Sequence, residues 1–235
     1  MMTKISVCIA THNGEKYIRE QIDSILPQLS VHDEIIVSDD GSTDTTISIL
    51  LSYRDKRIKI VECSWANSPI KNFENALNYC SGDIIFLSDQ DDIWLAGKAK
   101  TMIQALETND LVMSDCYVVN EKLQPLHQSL FFINKARTGF WKNLWKNSYT
   151  GCCMAFSRKV LNKTLPFPKD IPMHDQWIGL VGELFFRTTI INKKLTLYRR
   201  HDSTATRTGY KSSYDLISKI KFRFKLLKNL ILLYR

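Results

Sequence analysis

Short, β-branched apolar runs alternate with stretches of helical periodicity through the first half of the chain, and this alternation limits the possible folds most. The apolar runs are Ile5–Ala10, Glu34–Ser38, Ile58–Val61 and Asp83–Leu87. Alternation of this kind is typical of βαβ units, in which helices connect the parallel strands of one sheet. Ile5–Ala10 is almost continuously apolar, as expected for a strand covered on both faces. The sequence therefore predicts an α/β fold with a mostly parallel sheet.

The second half of the chain is less regular and richer in aromatic residues. We expect a loop region over Glu121–Phe140, a strand over Gly151–Ser157 and a helix over Gln176–Phe186, and an irregular strand pair over Ile190–Tyr198. No flexible linker separates the two halves, so we predict one fused fold. Its N-terminal half would bind a nucleotide and its C-terminal half would shape the pocket for a second substrate.

The basic charge of the chain is concentrated at its C-terminal end. The 235 residues have a net charge of +8, and the segment 211–235 alone has seven Lys or Arg and one Asp. The remaining residues are nearly neutral, so nucleic-acid binding by the main body is not indicated. We therefore predict two regions, a domain over 1–210 and a basic amphipathic helical tail over 211–235.

The tail has one apolar helical face flanked by lysines. This pattern suits a helix that lies in a membrane interface, with 212–235 contacting the lipid surface. The alternative is that the face packs on the domain or on a second copy in a homodimer. The members of the apolar face are Ile217, Ile220, Phe224, Leu227, Ile231 and Tyr234.

Other features favour a cytoplasmic protein, with the tail holding it on the inner face of the cell membrane. No apolar run approaches the roughly 20 residues that span a bilayer. Residues 1–10 resemble a first strand more than a secretion signal, because their apolar stretch is short. The six cysteines lack metal-binding spacing, and most lie in apolar stretches, as expected for free thiols in a reducing compartment.

Polar clusters follow the first, second and fourth predicted strands: Thr11-His12-Asn13, Asp39-Asp40 and Asp89-Gln90-Asp91-Asp92. Ligands of open α/β sheets bind at the carboxyl ends of the strands, so the three clusters should meet at one edge. Crowded carboxylates repel each other unless a cation balances them, and a D-x-D pair offers oxygen ligands suited to Mg²⁺ or Mn²⁺. An isolated acidic tetrad could instead be a solvated turn or a helix cap. An aspartyl-phosphate phosphatase is excluded, because no carboxylate follows the first strand.

Six segments carry a motif pattern in a fixed order along the chain: Ser6–Asn13, Ile35–Asp44, Phe86–Trp94, Gly151–Phe156, Met173–Trp177 and Leu197–His201. Together they resemble the inverting family-2 glycosyltransferases of the GT-A fold. The resemblance implies a Rossmann-like sheet whose nucleotide-binding half is fused to an acceptor-binding half. The forms of the third and fifth segments are most similar to bacterial rhamnosyltransferases and related hexosyltransferases of surface-polysaccharide assembly.

The resemblance also implies roles for single residues around the donor. Asp40 would hydrogen-bond the nucleobase, and Asp89 would face the ribose. Asp91 would bind the metal, with His201 reaching the metal or the diphosphate; a plain turn residue is the alternative for His201. The residues flanking the base would be Ala10, Thr11, His12 and Asn13.

On the acceptor side, the resemblance places the catalytic base at Asp175. Gly151 and Trp177 would line the pocket shared by donor sugar and acceptor. The alternatives are a helix N-cap for Asp175 and a simple strand start for Gly151.

The expected activity is transfer of one sugar, rhamnose or a hexose, with inversion. The donor would be a UDP- or dTDP-sugar, the acceptor a hydroxyl of a lipid-linked glycan, and the cofactor Mn²⁺ or Mg²⁺. No Q-x-x-R-W stretch follows the expected base, which argues against a processive synthase. Two other classes remain open. A sugar-nucleotide nucleotidylyltransferase would need a Gly-rich phosphate loop after the first strand, and a non-catalytic sugar-binding module would not need a late carboxylate.

Overall fold

The computed structural model of the chain describes residues 3–63, 67–201 and 216–234. The strands are β1 (Ile5–Thr11), β2 (Glu34–Asp39), β3 (Ile58–Glu62), β4 (Ile84–Asp89), β5 (Ile93–Trp94), β6 (Leu111–Asn120), β7 (Pro125–His127), β8 (Met154–Ser157) and β9 (Thr188–Arg200). The helices are α1 (Ile18–Ile25), α2 (Thr46–Ser52), α3 (Pro69–Tyr79), α4 (Lys98–Leu106), α5 (Leu130–Asn134), α6 (Phe140–Trp145), α7 (Arg158–Thr164), α8 (His174–Phe185) and α9 (Leu216–Tyr234).

The described strands form one mixed sheet in the order β3-β2-β1-β4-β8-β6-β9-β5, with β7 paired to β6. The pairs β3–β2, β2–β1 and β1–β4 are parallel, as the sequence predicts. Strand β8 then joins antiparallel to both β4 and β6, while β6 and β9 are again parallel. The predicted α/β class with a mostly parallel sheet is confirmed for the nucleotide half, and the second half continues the same sheet.

Helices cover both faces of the sheet, so two apolar cores form. Along β1, Val7 and Ile9 point into one core with α1, α2 and α4, while Cys8 points into the other with α3, α7 and α8. Successive side chains of a strand point to opposite faces, which explains why β1 is apolar at nearly every position. All six cysteines are free and buried.

Three predictions for the second half need correction. Residues Gly151–Cys153 form a turn of 3₁₀ helix before β8, so the predicted strand is shorter. The expected loop over 121–140 contains β7 and α5. The expected strand pair is one long strand, β9. Its pairing with β6 jumps from Ile191 to Lys194, so the polar residues between them bulge out of the ladder rather than ending the strand.

Helix α9 packs on the body of the protein. Leu226 and Leu230 are buried in the core that contains α6, α7 and α8, and Lys163 Nζ donates a hydrogen bond to the carbonyl of Leu233 at 2.7 Å. The predicted apolar face is a different one, and its members Phe224 and Ile231 stay exposed. The predicted boundary at 210/211 and the start of the predicted tail lie outside the described residues. Within them, no helix combines the length and apolar character needed to cross a bilayer.

Candidate active site

The carboxyl ends of β1, β2 and β4 bring the three polar clusters to one edge of the sheet. The register places Thr11 opposite Asp39 and Ala10 opposite Asp89. Gln90 joins the loop after β1 to residues 89–92 at the end of β4, which we call the acidic loop. The backbone N–H of His12 donates to Gln90 Oε1 at 3.0 Å, and Gln90 Nε2 donates to the carbonyl of His12 at 3.1 Å. The expected convergence of these segments is therefore present.

The loop after β1 needs a close approach that only glycine permits. A Cβ atom on Gly14 would lie 2.4 Å from Gln90 Oε1, so any larger residue would open the contact between Gln90 and His12. Asn13 has a φ of 48°, a left-handed conformation that Asn adopts more readily than most residues. Its side-chain oxygen accepts the backbone N–H of Thr43 at 2.9 Å.

Two neighbouring acids after β2 differ in environment. Asp39 is buried and accepts hydrogen bonds from the Thr11 hydroxyl and the Ser42 backbone N–H, both at 2.8 Å. Asp40 is half-exposed at the edge, where its carbonyl contacts His12 Nδ1 at 2.7 Å. Asp40 and His12 thus line the open side of this edge.

Thr11 does not reach the surface where a nucleotide would lie. Its side chain is buried, its hydroxyl is used by Asp39, and its carbonyl accepts the Asn72 side-chain amide at 3.0 Å. The side chain of Thr11 therefore supports the loop, and His12 and Asn13 are the exposed members of the cluster.

Asp91 and His201 are in direct contact. Asp91 Oδ2 lies 2.7 Å from His201 Nε2, and the side chains are 12% and 6% exposed. The Tyr17 ring lies against the imidazole, with 4.8 Å between ring centroids. The two side chains predicted to bind metal, although distant in sequence, therefore form one pair at the end of β4.

Arg199 holds the acidic loop from behind. Its Nε donates to the carbonyl of Asp91 at 2.8 Å and its Nη1 to the carbonyl of Glu121 at 2.9 Å. Its Nη2 forms a salt bridge with Glu20 on α1. The guanidinium fork thus joins β9, α1 and the acidic loop, which fixes where Asp91 can lie.

Behind this pair lies a second group of potential ligands. One ligand atom each from Asp89, Asp92 and Cys152 lie within 4.8 Å of one another. Asp92 Oδ1 accepts the backbone N–H of Arg199 at 2.9 Å, and Asp92 Oδ2 is buried with no hydrogen-bond donor among the described residues. Burial, together with the charges of Asp91 and Asp89, raises the pKa of Asp92 well above its usual range.

Lys98 lies beneath the acidic loop, where burial lowers the pKa of its amine. Its Nζ donates to the carbonyl of Cys152 at 2.6 Å and to the Thr196 hydroxyl at 2.8 Å, and it lies 4.5 Å from the centroid of the Trp94 ring. Lys98 therefore connects β5, the turn at Gly151–Cys153 and β9.

Asp175 lies in the first turn of α8 and is 8% exposed. Burial raises the pKa of its carboxyl to about 7, although the backbone N–H groups of Gln176 and Gly151 and the Asn147 side chain favour the charged form. The pKa of Asp89 is also raised to about 7, by desolvation first and then by the charges of Asp91 and Asp175. The carboxylates from β4 and α8 therefore face a common space and repel each other.

Gly151 lies against the start of α8. A Cβ atom there would lie 3.1 Å from His174 Nε2 and 3.8 Å from Asp175 Cβ. His174 stacks on Phe73 at 4.2 Å, burial lowers its pKa to about 3, and neither ring nitrogen has a partner among the described residues. The imidazole is therefore neutral, and a residue larger than glycine at 151 would press on it.

Trp177, predicted to line the pocket, packs in the core. Its side chain is fully buried, and its indole N–H donates to the carbonyl of Thr164 at 3.0 Å. Trp177 lies two residues beyond the site-facing Asp175, and the helix turns it towards α7 and the core.

Sequence reasoning missed several residues that shape the site. Arg199 lies inside the segment Leu197–His201 that carries the resemblance, so its nearness to His201 was a usable signal. Tyr17 and Asn147 gave no local signal, because their contacts depend on how distant segments pack.

The sequence profile described as "Glycosyl transferase family 2" matches residues 6–165 of this chain. An Escherichia coli protein described as UDP-Glc:alpha-D-GlcNAc-diphosphoundecaprenol beta-1,3-glucosyltransferase WfgD is 34% identical over 192 residues, which cover 76% of this chain and 70% of that protein. The Shigella flexneri dTDP-rhamnosyl transferase RfbG is 28% identical over 239 residues, which cover 91% of this chain and 79% of that protein.

The fold also matches solved structures. A crystal structure of S. aureus TarS residues 1–349 in complex with UDP-GlcNAc has a TM-score of 0.76 at 21% identity, covering 96% of this chain and 67% of that one. Mannosyltransferase PcManGT from Pyrobaculum calidifontis, in complex with GDP-Man and Mn²⁺, has a TM-score of 0.60 at 20% identity, covering 84% of this chain and 57% of that one. At these identities the likeness concerns the fold, and it agrees with the predicted GT-A architecture.

Proposed function

This chain belongs to glycosyl transferase family 2, and we propose that it moves a single sugar from a nucleotide-sugar donor to a hydroxyl of a lipid-linked glycan in bacterial surface-polysaccharide synthesis. The names of the relatives support this proposal: WfgD acts on a diphosphoundecaprenol-linked sugar, and RfbG is described as a dTDP-rhamnosyl transferase. The observation that carries it is the nearly buried Asp175 carboxyl, with a pKa of about 7, facing the acidic end of β4.

For the donor we propose a UDP- or dTDP-sugar carrying a hexose or rhamnose. Uracil and thymine share the N3–H group, which the half-exposed Asp40 carboxyl would accept. The backbone carbonyl of Asp40 contacts His12 Nδ1, which keeps the two residues together. His12 is exposed beside it and offers an imidazole face to the base. Ala10 and Asn13 would flank the base, and Asp89 would face the ribose.

For the chemistry we propose that Asp175 acts as a general base. Its carboxylate takes the proton of the acceptor hydroxyl while the hydroxyl oxygen bonds to the anomeric carbon. The bond from that carbon to the diphosphate oxygen breaks, and the electron pair leaves with the nucleoside diphosphate. Attack opposite the leaving group inverts the anomeric centre. A base whose pKa lies near neutrality suits this step.

The residues present fit a divalent cation. Asp91 and His201 offer a carboxylate oxygen and an imidazole nitrogen in contact. Burial first, and the neighbouring carboxylates second, raise the pKa values of Asp89 and Asp92, so a cation beside them would relieve the repulsion among these acids. We propose that Asp91 and His201 hold Mn²⁺ or Mg²⁺, because oxygen and imidazole donors suit Mn²⁺. In the second group of potential ligands, Asp89, Asp92 and Cys152, the last two are fully buried. When bound, the ion would neutralise charge on the departing diphosphate.

The test is a donor and acceptor screen on the purified full chain with Mn²⁺. We expect nucleoside diphosphate to be released from a UDP- or dTDP-sugar when an undecaprenyl-diphosphate-linked sugar is present. The product glycan should gain one sugar of inverted anomeric configuration. Release of pyrophosphate from a nucleoside triphosphate and a sugar 1-phosphate would instead identify a nucleotidylyltransferase. Binding of sugars without turnover of any donor would indicate a binding module.

A further inference from the structure

Helices α6 and α9 lie side by side and leave an apolar cavity between them. The cavity has a volume of about 260 Å³ and is lined from both helices, with Trp141 and Trp145 on one side and Ile220 and Phe224 on the other. We call the surface formed by these four side chains and Arg223 the α6–α9 face.

Large apolar side chains on this face are exposed to solvent. Trp141 is 71% exposed, Trp145 65% and Phe224 69%, and Ile231 lies further along α9 with 60%. Single exposed apolar residues are ordinary, but a contiguous group of this size usually marks an interaction surface. Tryptophan is the residue type most at home where an apolar phase meets water, because its ring is apolar and its N–H is polar.

Acidic residues are missing from both segments that build the face. The sequence from 122 to 169 contains nine Lys or Arg and no Asp or Glu, and the sequence from 216 to 234 contains five and none. The packing of α9 against α6 and α7 brings these two segments together. Asp170 follows the first segment directly and pairs with Lys225 at 3.5 Å. Residues 140–146 and 216–234 together carry seven Lys or Arg and no Asp or Glu, while Glu183 lies next to α6 and accepts the backbone N–H of Gly139. The two helices that build the face are therefore net positive.

Arg223 lies at the wall of the cavity with donors to spare. Its Cζ is 4.3 Å from the centroid of the Trp145 ring, and its Nη2 donates to the carbonyl of Trp145. Its Nε and Nη1 are buried and have no acceptor among the described residues. Arg223 therefore holds Trp145 at the wall of the cavity, and the exposed charges beside the face are those of the α9 lysines.

We propose that the α6–α9 face binds the interface of an anionic phospholipid bilayer. Trp141, Trp145 and Phe224 enter the boundary between head groups and acyl chains. The exposed Lys221 and Lys228 of α9 contact lipid phosphates. A second copy of the chain fits less well, because a two-fold contact would bring two positive faces together.

The α6–α9 face is connected to Asp175 and its neighbour Gln176 by two contacts from α6 and the loop after it. Asn147 follows α6 by two residues, and its side chain interacts with the Asp175 carboxyl. The carbonyl of Asn143 within α6 accepts the Gln176 side-chain amide at 3.2 Å. A bilayer on the α6–α9 face therefore lies next to the acceptor side of the site. This link to acceptor delivery rests on the proposed function, whereas lipid binding itself does not.

The experiment measures binding of the full chain to vesicles by flotation. The probes are phosphatidylcholine vesicles and phosphatidylcholine vesicles containing phosphatidylglycerol, at low and high salt. We expect binding only to the anionic vesicles, weakened by salt. The variant Trp141→Ser/Phe224→Ser should bind at least tenfold more weakly, and so should Lys221→Gln/Lys228→Gln. The matched control is Val31→Ser/Leu51→Ser, which removes two exposed apolar side chains away from this face and should bind like the wild type.

Two further measurements, tryptophan emission and sedimentation velocity, test the proposal independently of flotation. Tryptophan emission should shift to shorter wavelength on binding, and this shift should be reduced in Trp141→Ser/Phe224→Ser. Sedimentation velocity is run in parallel without lipid. Absence of binding to anionic vesicles at low salt, or equal binding by all variants, would overturn the proposal. A wild-type dimer that dissociates in Trp141→Ser/Phe224→Ser and ignores vesicles would assign the face to a second copy. Vesicle binding without glycosyl transfer would support lipid binding by the α6–α9 face and would contradict only the proposed function.

Discussion

The carboxyl group of Asp175 combines two opposing influences at the scale of one residue. Burial raises its pKa to about 7, while three donors from neighbouring segments favour its charged form. A carboxylate in this balance takes up a proton near neutral pH and can also release it. Position at the start of α8 thus gives an ordinary aspartate the property that a general base needs.

We expect Asp175→Asn to abolish transfer without impairing nucleotide binding. The amide has nearly the same shape but cannot take a proton, so kcat should fall by about 10²–10⁴-fold, the usual contribution of a general base. Calorimetry should give the same affinity for nucleoside diphosphate as the wild type. Asp170→Asn, in the loop before α8, is the control and should keep full activity. More than about a tenth of wild-type kcat in Asp175→Asn would rule out the assigned role.

We expect metal binding, and with it the activity, to depend on Asp91. Asp91→Asn replaces a charged oxygen in contact with His201 by a neutral amide, so a Mn²⁺ titration of activity should shift to at least roughly tenfold higher concentration. Asp83→Asn serves as the control, because Asp83 lies at the other end of the same strand, where it accepts the backbone N–H of Lys4. Full wild-type activity in excess EDTA would contradict any role of a metal.

At the scale of elements, β9 does more for the site than its sequence suggests. It runs the length of β6, supplies Arg199 to hold the acidic loop, and brings His201 to Asp91. Helix α1 completes the arrangement through Glu20 and through the Tyr17 ring just before it. The geometry of the proposed metal pair therefore depends on the docking of β9 against α1.

Replacing Arg199 by Lys should loosen this arrangement while keeping the charge. Lysine cannot make the forked contacts to two carbonyls and Glu20, so we expect the apparent Mn²⁺ affinity to fall by about 10–100-fold. The KM for the acceptor should not change. Arg57→Lys is the matched control, since Arg57 also donates to two carbonyls and a carboxylate, but before β3 and far from the site. If both variants lost only thermal stability and kept their Mn²⁺ titration, Arg199 would be purely structural.

The parallel strands were predictable because both faces of each strand are buried and its end carries polar residues. The bulge in β9 was not, because a run of polar residues inside a strand looks like a break unless the partner strand is known. Helix α9 is apolar on more than one side, and periodicity alone could not decide that Leu226 and Leu230 pack inwards. The sequence predicted Asp91, His201 and Asp175 as site residues, and the structure brings Asp91 and His201 into contact. The contacts of Tyr17 and Asn147 come from long-range packing, which the sequence does not reveal.

At the scale of the whole molecule, the acidic edge of the sheet opposes folding stability. A carboxyl whose pKa is higher in the folded state than in the unfolded state weakens the folded state as the pH rises through that interval. Asp89 and Asp175, both raised to about 7, act in this sense between about pH 4 and pH 7. His174 acts in the opposite sense: its pKa is lowered to about 3, so stability falls as the pH drops below about 6.5. The free energy of unfolding of the wild type, measured against pH, therefore contains both the contribution of the two carboxyls and that of His174.

A difference between two proteins separates these contributions. The free energy of unfolding of Asp175→Asn minus that of the wild type, both without metal, should rise between about pH 4 and pH 7 and then level off. Three pKa units correspond to a rise of at most about 4 kcal/mol, and interaction with Asp89 will share it between the two groups. His174 is present in both proteins, so its contribution cancels. Denaturant titrations at pH 4, 5.5, 7 and 8 measure the difference, with Asp170→Asn as a control that should give a flat line.

Adding Mn²⁺ with nucleoside diphosphate should stabilise the wild type more at pH 8 than at pH 5, because cations and protons compete for the same carboxylates. A flat difference for Asp175→Asn would mean that its carboxyl titrates like an exposed aspartate, and the buried base would have to be sought elsewhere at this edge.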